Sequence, residues 1–180
     1  FKRINDYGRK AGFLVEHYII SSGMREIIKS TSIADEFKRI YACRYYYDET
    51  HTATWPAQVV NYTAKTQYIF RINKQVLDVN DDADLNKYVP QTERPIPFER
   101  MIYIADGLTD VPCMRLVKEY GGKSIAVYSS NNAVAKSLKD VGRVNYIAKA
   151  DYSSGSEMEQ IVQSILDHMK ADEVLKKYEE

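Results

Sequence analysis

Two aspartates four residues apart, Asp106 and Asp110, are the strongest chemical signal in this sequence. They lie within residues 101–120, MIYIADGLTDVPCMRLVKEY. An apolar run, Met101-Ile102-Tyr103-Ile104-Ala105, is short enough for a buried strand and leads into Asp106-Gly107-Leu108-Thr109-Asp110. Beyond it Val111, Met114, Leu116 and Val117 give a helical pattern. Ligands of α/β proteins bind where parallel strands end, so strand, acidic turn and helix in succession form the layout of a site. A carboxylate at the strand tip and another in the loop or first helical turn can converge on one point. Their mutual repulsion calls for a cation, and hard oxygen ligands suit Mg²⁺. The same residues also fit a plain role, Asp106 starting a turn and Asp110 capping the helix. Spacing alone leaves both readings open.

Two other stretches carry polar groups where elements begin or end. Residues 13–21, FLVEHYIIS, predict a strand that ends in Ser21-Ser22-Gly23, with an amphipathic helix bearing Met24, Ile27 and Ile28 after it. Residues 61–65, NYTAK, lead into a helix through Asn73, with Tyr68, Ile69 and Ile72 on its buried face and Thr63 as its N-cap. Lys65 then falls in the first turn, where a positive charge opposes the helix dipole. That placement suggests that the charge is wanted for something, although exposed lysines commonly ignore the rule. Ordinary roles are equally simple: Ser21 capping its own helix, and Lys65 solvated.

The elements that must position these residues alternate. Residues 1–12 read as a short helix closed by Gly12, and 37–47, FKRIYACRYYY, as a strand. A turn at 48–51 and a return arm at 52–55 follow. Residues 75–100 are acidic and then proline-marked, which predicts an insertion or a long loop. Strands at 124–128 and 144–148 flank a helix at 132–141. Ser156 and Glu159 have capping-box form and open a long C-terminal helix with Ile161, Ile165, Leu166 and Met169 on one face. Its charged tail, 170–180, is expected to fray. This alternation predicts an α/β fold, a parallel sheet wrapped by helices.

Composition excludes several functions. With 25 basic and 25 acidic residues in 180, no global field favours nucleic acid or an anionic membrane. No apolar run approaches the ~20 residues of a membrane span. Cys43 and Cys113 are far apart and form no CxxC pair, so a reducing, cytoplasmic setting is the default. His51 and His168 stand apart from any ligand cluster at zinc spacing, and His17, within the first strand, reads as a core or edge residue rather than a ligand. The acidic residues between Asp78 and Asp84 lack the glycine and terminal glutamate of a calcium loop.

Taken together, three pieces resemble the haloacid-dehalogenase-like (HAD) phosphohydrolases, most closely the phosphoserine-phosphatase-like branch. Ile19-Ile20-Ser21-Ser22-Gly23-Met24-Arg25 is similar to that family's second motif, Lys65-Thr66-Gln67-Tyr68-Ile69 to its third, and Ala105-Asp106-Gly107-Leu108-Thr109-Asp110 to its fourth. The resemblance spans about residues 13–150. It implies a Rossmann-like three-layer α/β sandwich with a mostly parallel sheet, and an Mg²⁺-dependent phosphatase acting on a small phosphorylated substrate through an aspartyl-phosphate. By the same resemblance Ser21, Ser22, Gly23 and Lys65 bind phosphate, Lys65 and Asp106 serve catalysis, and Asp106 and Asp110 hold the metal.

The departures matter as much. Ala105 replaces the first glycine of the fourth motif, and Thr109 stands where close relatives often carry Asn. The family's first motif, an Asp-x-Asp pair on the first strand whose leading Asp is the nucleophile, has no counterpart before Ser21. Asp82-Ala83-Asp84 has the letters, but it follows motif two and no apolar strand leads into it. Residues 1–180 therefore read as the C-terminal portion of a HAD-like core, with the first strand and the cap outside it, and as inactive alone. The gap is expected to be filled by a missing N-terminal segment or by self-association. The alternative is a non-catalytic phosphate- or metal-binding or interaction domain derived from that fold.

Overall fold

The structure, a computed structural model, describes residues 1–178. In chain order its first elements are α1 (Lys2–Ala11), β1 (His17–Met24), α2 (Arg25–Lys29), β2 (Phe37–Tyr47), β3 (Ala53–Gln58), α3 (Lys65–Lys74) and α4 (Asp82–Asn86). They are followed by β4 (Ile102–Ala105), α5 (Val111–Glu119), β5 (Lys123–Tyr128), α6 (Ala133–Asp140), β6 (Tyr146–Lys149) and α7 (Glu157–Lys176). The fold is α/β, with one mixed and one parallel sheet of three strands each. The chain divides into two compact units, Glu16–Tyr88 and the remainder.

In the unit Glu16–Tyr88, β2 is long enough to change partners. Its first half pairs in parallel with β1, from His17↔Phe37 to Met24↔Cys43. Its second half pairs antiparallel with β3, from Arg44↔Gln58 to Tyr47↔Ala53. Pro56 lies on β3, the edge strand, where a missing N–H is tolerated. Tyr41, Ala42, Val60, Tyr68 and Ile69 are buried, and the Tyr41 and Tyr68 rings stack with centroids 4.6 Å apart.

Three local expectations change here. The first strand begins at His17 and runs on to Met24, because its ladder starts only where Phe37 becomes available. The helix after it has five residues and leaves Ile27 67% exposed, so the expected apolar face is not buried. Asn61, not Thr63, prepares the start of α3: its Oδ1 accepts from the Ala64 amide at 2.9 Å and from the Thr63 hydroxyl at 2.7 Å.

In the other unit β4, β5 and β6 are parallel, with Ile102↔Lys123 and Ile125↔Tyr146 in register. Side chains alternate across the sheet. Ile125 and Val127 pack with Met158, Val162, Ile165 and Leu166 of α7, and Ile4 and Tyr7 of α1 join them. Ala126 faces the opposite way and packs with Val111 and Met114 of α5 and Ala135 and Leu138 of α6. Helices thus cover both faces of this sheet. Ser156 caps α7 by accepting from the Glu159 amide at 3.3 Å, while Glu159 reaches back one residue further than expected, to the Gly155 amide at 2.6 Å. The helix continues through Lys176. Residues 75–100 contain α4 and two 3₁₀ turns, and Phe98 is fully buried. Both β1 and β4 are edge strands of their own sheets.

Candidate functional site

The acidic residues stand in the unit built on the parallel sheet. Asp106 follows β4 directly and is exposed, whereas Asp110 holds the N-cap position of α5 and is buried. An N-cap side chain accepts from the second or third amide of its helix. The second residue of α5 is Pro112, which has no N–H, and the Asp110 carboxylate makes no cap bond. It turns elsewhere: Oδ1 accepts from the Tyr103 hydroxyl at 2.6 Å, and Oδ2 from the Thr109 hydroxyl at 3.3 Å. Burial, and then the neighbouring Cys113 thiol and Asp110 carboxylate, hold the Tyr103 phenol far above its ordinary range, so it remains a donor. The Asp106 charge acts on Tyr152, whose phenol is pushed up first by burial and second by that carboxylate.

Mg²⁺ commonly takes one or two carboxylates and completes its shell with water and substrate oxygens. Asp106 and Asp110 fit that demand in kind. The Asp106 carboxylate accepts no hydrogen bond among the described residues, so its lone pairs are available to a ligand. No group of three or more His, Cys, Asp or Glu able to hold a metal occurs among the described residues, which leaves no four-ligand site of zinc type.

The residues expected to bind phosphate belong to the unit Glu16–Tyr88. Ile20 pairs with Tyr41 and Met24 with Cys43, so four steps along β1 oppose two along β2. Ser21, Ser22 and Gly23 are the residues of this bulge, outside the ladder, and bulges re-aim side chains beside sites. Ser21 Oγ accepts from the Gly23 amide at 3.0 Å, and its own proton remains to donate. Met24, not Ser21, is the N-cap of α2, so Ser21 is no helix cap. The expected contribution of a helix N-terminus at Ser22-Gly23 is corrected too: the two residues lie within β1, and α2 is little more than one turn.

Lys65 is the first residue of α3 and only 5% exposed, so it is not a solvated surface lysine. The sequence held the signal. Positions 65, 68, 69 and 72 form one stripe at helical spacing, and Lys65 heads it. The same helix carries a residue that the pattern did not single out. Arg71 is 1% exposed and donates to the Asp78, Val79 and Asp81 carbonyls at 2.6, 3.1 and 3.0 Å and to Asp82 Oδ1 at 2.7 Å. Ser21, Ser22, Gly23 and Lys65 thus share one unit, and Asp106 and Asp110 the other.

Among known proteins no family model matches the chain. A protein of Borreliella burgdorferi, described as an uncharacterized protein, is 30% identical over 161 residues, an alignment covering 80% of this chain and 55% of the relative. The chain spans about half the length of the curated relative it matches. No helix among the described residues is long and apolar enough to cross a membrane.

Proposed function

We propose that this chain carries the Mg²⁺- and phosphate-binding parts of a cytoplasmic phosphohydrolase of the HAD kind, acting on a small phosphorylated substrate. The observation that carries the reading is the Asp110 carboxylate, which stands at the cap position of α5, makes no cap bond and is oriented by the Tyr103 hydroxyl. In this reading Asp106 and Asp110 hold the metal. When bound, Mg²⁺ offsets the repulsion between an attacking carboxylate and the phosphate oxygens.

The chain's own residues then bind and orient. Lys65 supplies a point charge to the equatorial oxygens, and burial shields that charge from water. Ser21 donates its hydroxyl proton to a phosphate oxygen while the Gly23 amide fixes the hydroxyl's position. The nucleophilic aspartate, which would carry the phosphoryl group until water releases it, lies outside these 180 residues in this reading. The open edges of β1 and β4 support it, because an unpaired edge is a template for a further strand. Helices on both faces of the parallel sheet fit a Rossmann-like three-layer core.

The test uses the whole chain and Mn²⁺ as a paramagnetic probe of the Mg²⁺ site. Amide signals of residues 106–110 should broaden first, Mg²⁺ should reverse the broadening, and Asp106→Asn should abolish it. Broadening unaffected by both Asp106→Asn and Asp110→Asn would refute the metal assignment. The chain alone should hydrolyse p-nitrophenyl phosphate negligibly; rapid Mg²⁺-dependent release lost in Asp106→Asn would overturn the placement of the nucleophile elsewhere.

A further inference from the structure

Three arginines stand together in the unit Glu16–Tyr88 with no partner to explain them. Arg25 opens α2, and Arg39 and Arg44 lie on β2. With Gln58, Asp78 and Asn80 they line a cleft of about 210 Å³. None of the three guanidinium groups forms an ion pair or hydrogen bond among the described residues, and the Nε atoms of Arg25 and Arg44 are buried without a partner. Buried donors left unmatched are costly in a folded protein. The like charges add to that cost. Burial, and then the charges of Arg44 and Arg39, push the Arg25 pKa below its ordinary value. Against three positive charges the lining offers the single carboxylate of Asp78, and the Glu26 carboxylate, which acts on Arg25 in the opposite sense, offsets only part of the surplus.

The wall facing the arginines is fixed in advance. Arg71 grips the carbonyls of Asp78, Val79 and Asp81 from behind, and Asp78 Oδ1 accepts from the Asn80 amide at 2.9 Å. The Tyr41 hydroxyl donates to the Leu77 carbonyl at 3.1 Å and ties the same segment to β2. A concave site with surplus, unmatched guanidinium donors suits an anion. Guanidinium forks match the oxygens of phosphate two at a time, and a doubly charged oxyanion balances the surplus better than a carboxylate does. The volume is below the ~300–1,000 Å³ of sites for drug-sized ligands, which favours a small group. With no net charge on the chain, no long-range field favours a nucleic acid.

We propose that Arg25, Arg39 and Arg44 form a metal-independent binding site for a phosphate oxyanion, either free phosphate or the phosphate of a small ester. The site goes beyond the proposed hydrolase reading and requires none of Asp106, Asp110 or Lys65. Sequence alternation hid it: residues five apart on a regular strand face opposite ways, so the pattern of β2 does not group Arg39 with Arg44.

The full chain is titrated calorimetrically and by amide NMR with inorganic phosphate, phenyl phosphate, pyrophosphate and acetate, in EDTA. Phosphate-bearing probes should bind, acetate should not, and the shifts should centre on residues 25, 39, 44 and 78–80. Arg39→Gln and Arg44→Gln should each weaken binding about tenfold or more, the loss expected for one charged hydrogen-bonding partner, and Arg44→Lys should weaken it less. Tighter binding of phenyl phosphate or pyrophosphate than of phosphate assigns the site to an ester; equal binding assigns it to the free ion. Arg39→Gln should leave the Mn²⁺ broadening at residues 106–110 unchanged, which separates this result from the fate of the hydrolase reading. In phosphate-free buffer Arg39→Gln should melt no lower than the parent, because it removes a repelling charge. No binding of any phosphate probe at millimolar concentration, binding of RNA alone, or a lower melting temperature with unchanged anion affinity would overturn the proposal.

Discussion

Replacing Arg71 by Met tests whether one buried guanidinium organises the segment between α3 and α4. Met keeps an unbranched, apolar side chain on α3, so a large cavity is not the main effect. What is lost is the clamp on three backbone carbonyls, those of Asp78, Val79 and Asp81, and on the Asp82 carboxylate. Gross hydrogen-bond energies would overstate the effect, because moving the guanidinium out of water already costs several kcal/mol. At about 1 kcal/mol net for each carbonyl left without its donor, the three sum to about 3 kcal/mol. The Asp82 side chain is 75% exposed, so Asp82→Asn should cost below about 1 kcal/mol. Urea denaturation of the two variants beside the parent measures both values, with hydrogen exchange following the amides of residues 78–82. Arg71→Met should lose several-fold more stability than Asp82→Asn, and exchange should speed up locally before the rest of the unit opens. Equal losses, or an Arg71→Met variant within about 0.5 kcal/mol of the parent, would refute the clamp.

Two further outcomes follow from local geometry. A Cβ added at Gly122 would sit 2.4 Å from the Phe98 carbonyl oxygen and 2.6 Å from Val117 Cγ1, so Gly122→Ala should cost about 1–3 kcal/mol by thermal or chemical melting. Gly23→Ala meets only Ser21 Oγ at 3.2 Å and serves as the mild control; equal costs would count against the packing argument. In the β2–β3 turn Asp48 Oδ1 accepts from the Thr50 hydroxyl and from the Thr50 and Thr52 amides, and these bonds, the Thr50 hydroxyl first, hold its carboxyl below the ordinary 3.8. Because the folded pKa is the lower one, the contribution is present above 3.8 and is lost as pH falls through the folded value. Asp48→Asn should therefore reduce amide protection at Thr50 and Thr52 near neutrality and match the parent in acid. A difference that persists in acid would assign the effect to something other than the carboxylate charge.

Some features were legible in the sequence because they are local. Periodicity and turn chemistry placed α1 and its Gly12 cap, β2, β4 with Asp106 at its end, and the Ser156 cap of α7 within a few residues of where they stand. Backbone sterics and capping act over one turn or one strand, so short windows carry that information. Other features needed the fold. Spacing could not say whether Asp110 serves its helix; its bond to the hydroxyl of Tyr103, seven residues back, is seen only in the fold. No window relates Ser21 to the register of β2, yet the bulge that sets Ser21 outside the ladder is a mismatch between two strands. The sequence left Lys65 open between a solvated charge and a binding one until packing buried it, and Arg71 became a clamp only when the chain folded back over α3. The gathering of Arg25, Arg39 and Arg44 is likewise tertiary, since like charges repel and nothing local brings them together. Sequence carries the identity of the charges. Burial and register, which depend on residues far apart in the chain, determine which of them are left facing a ligand.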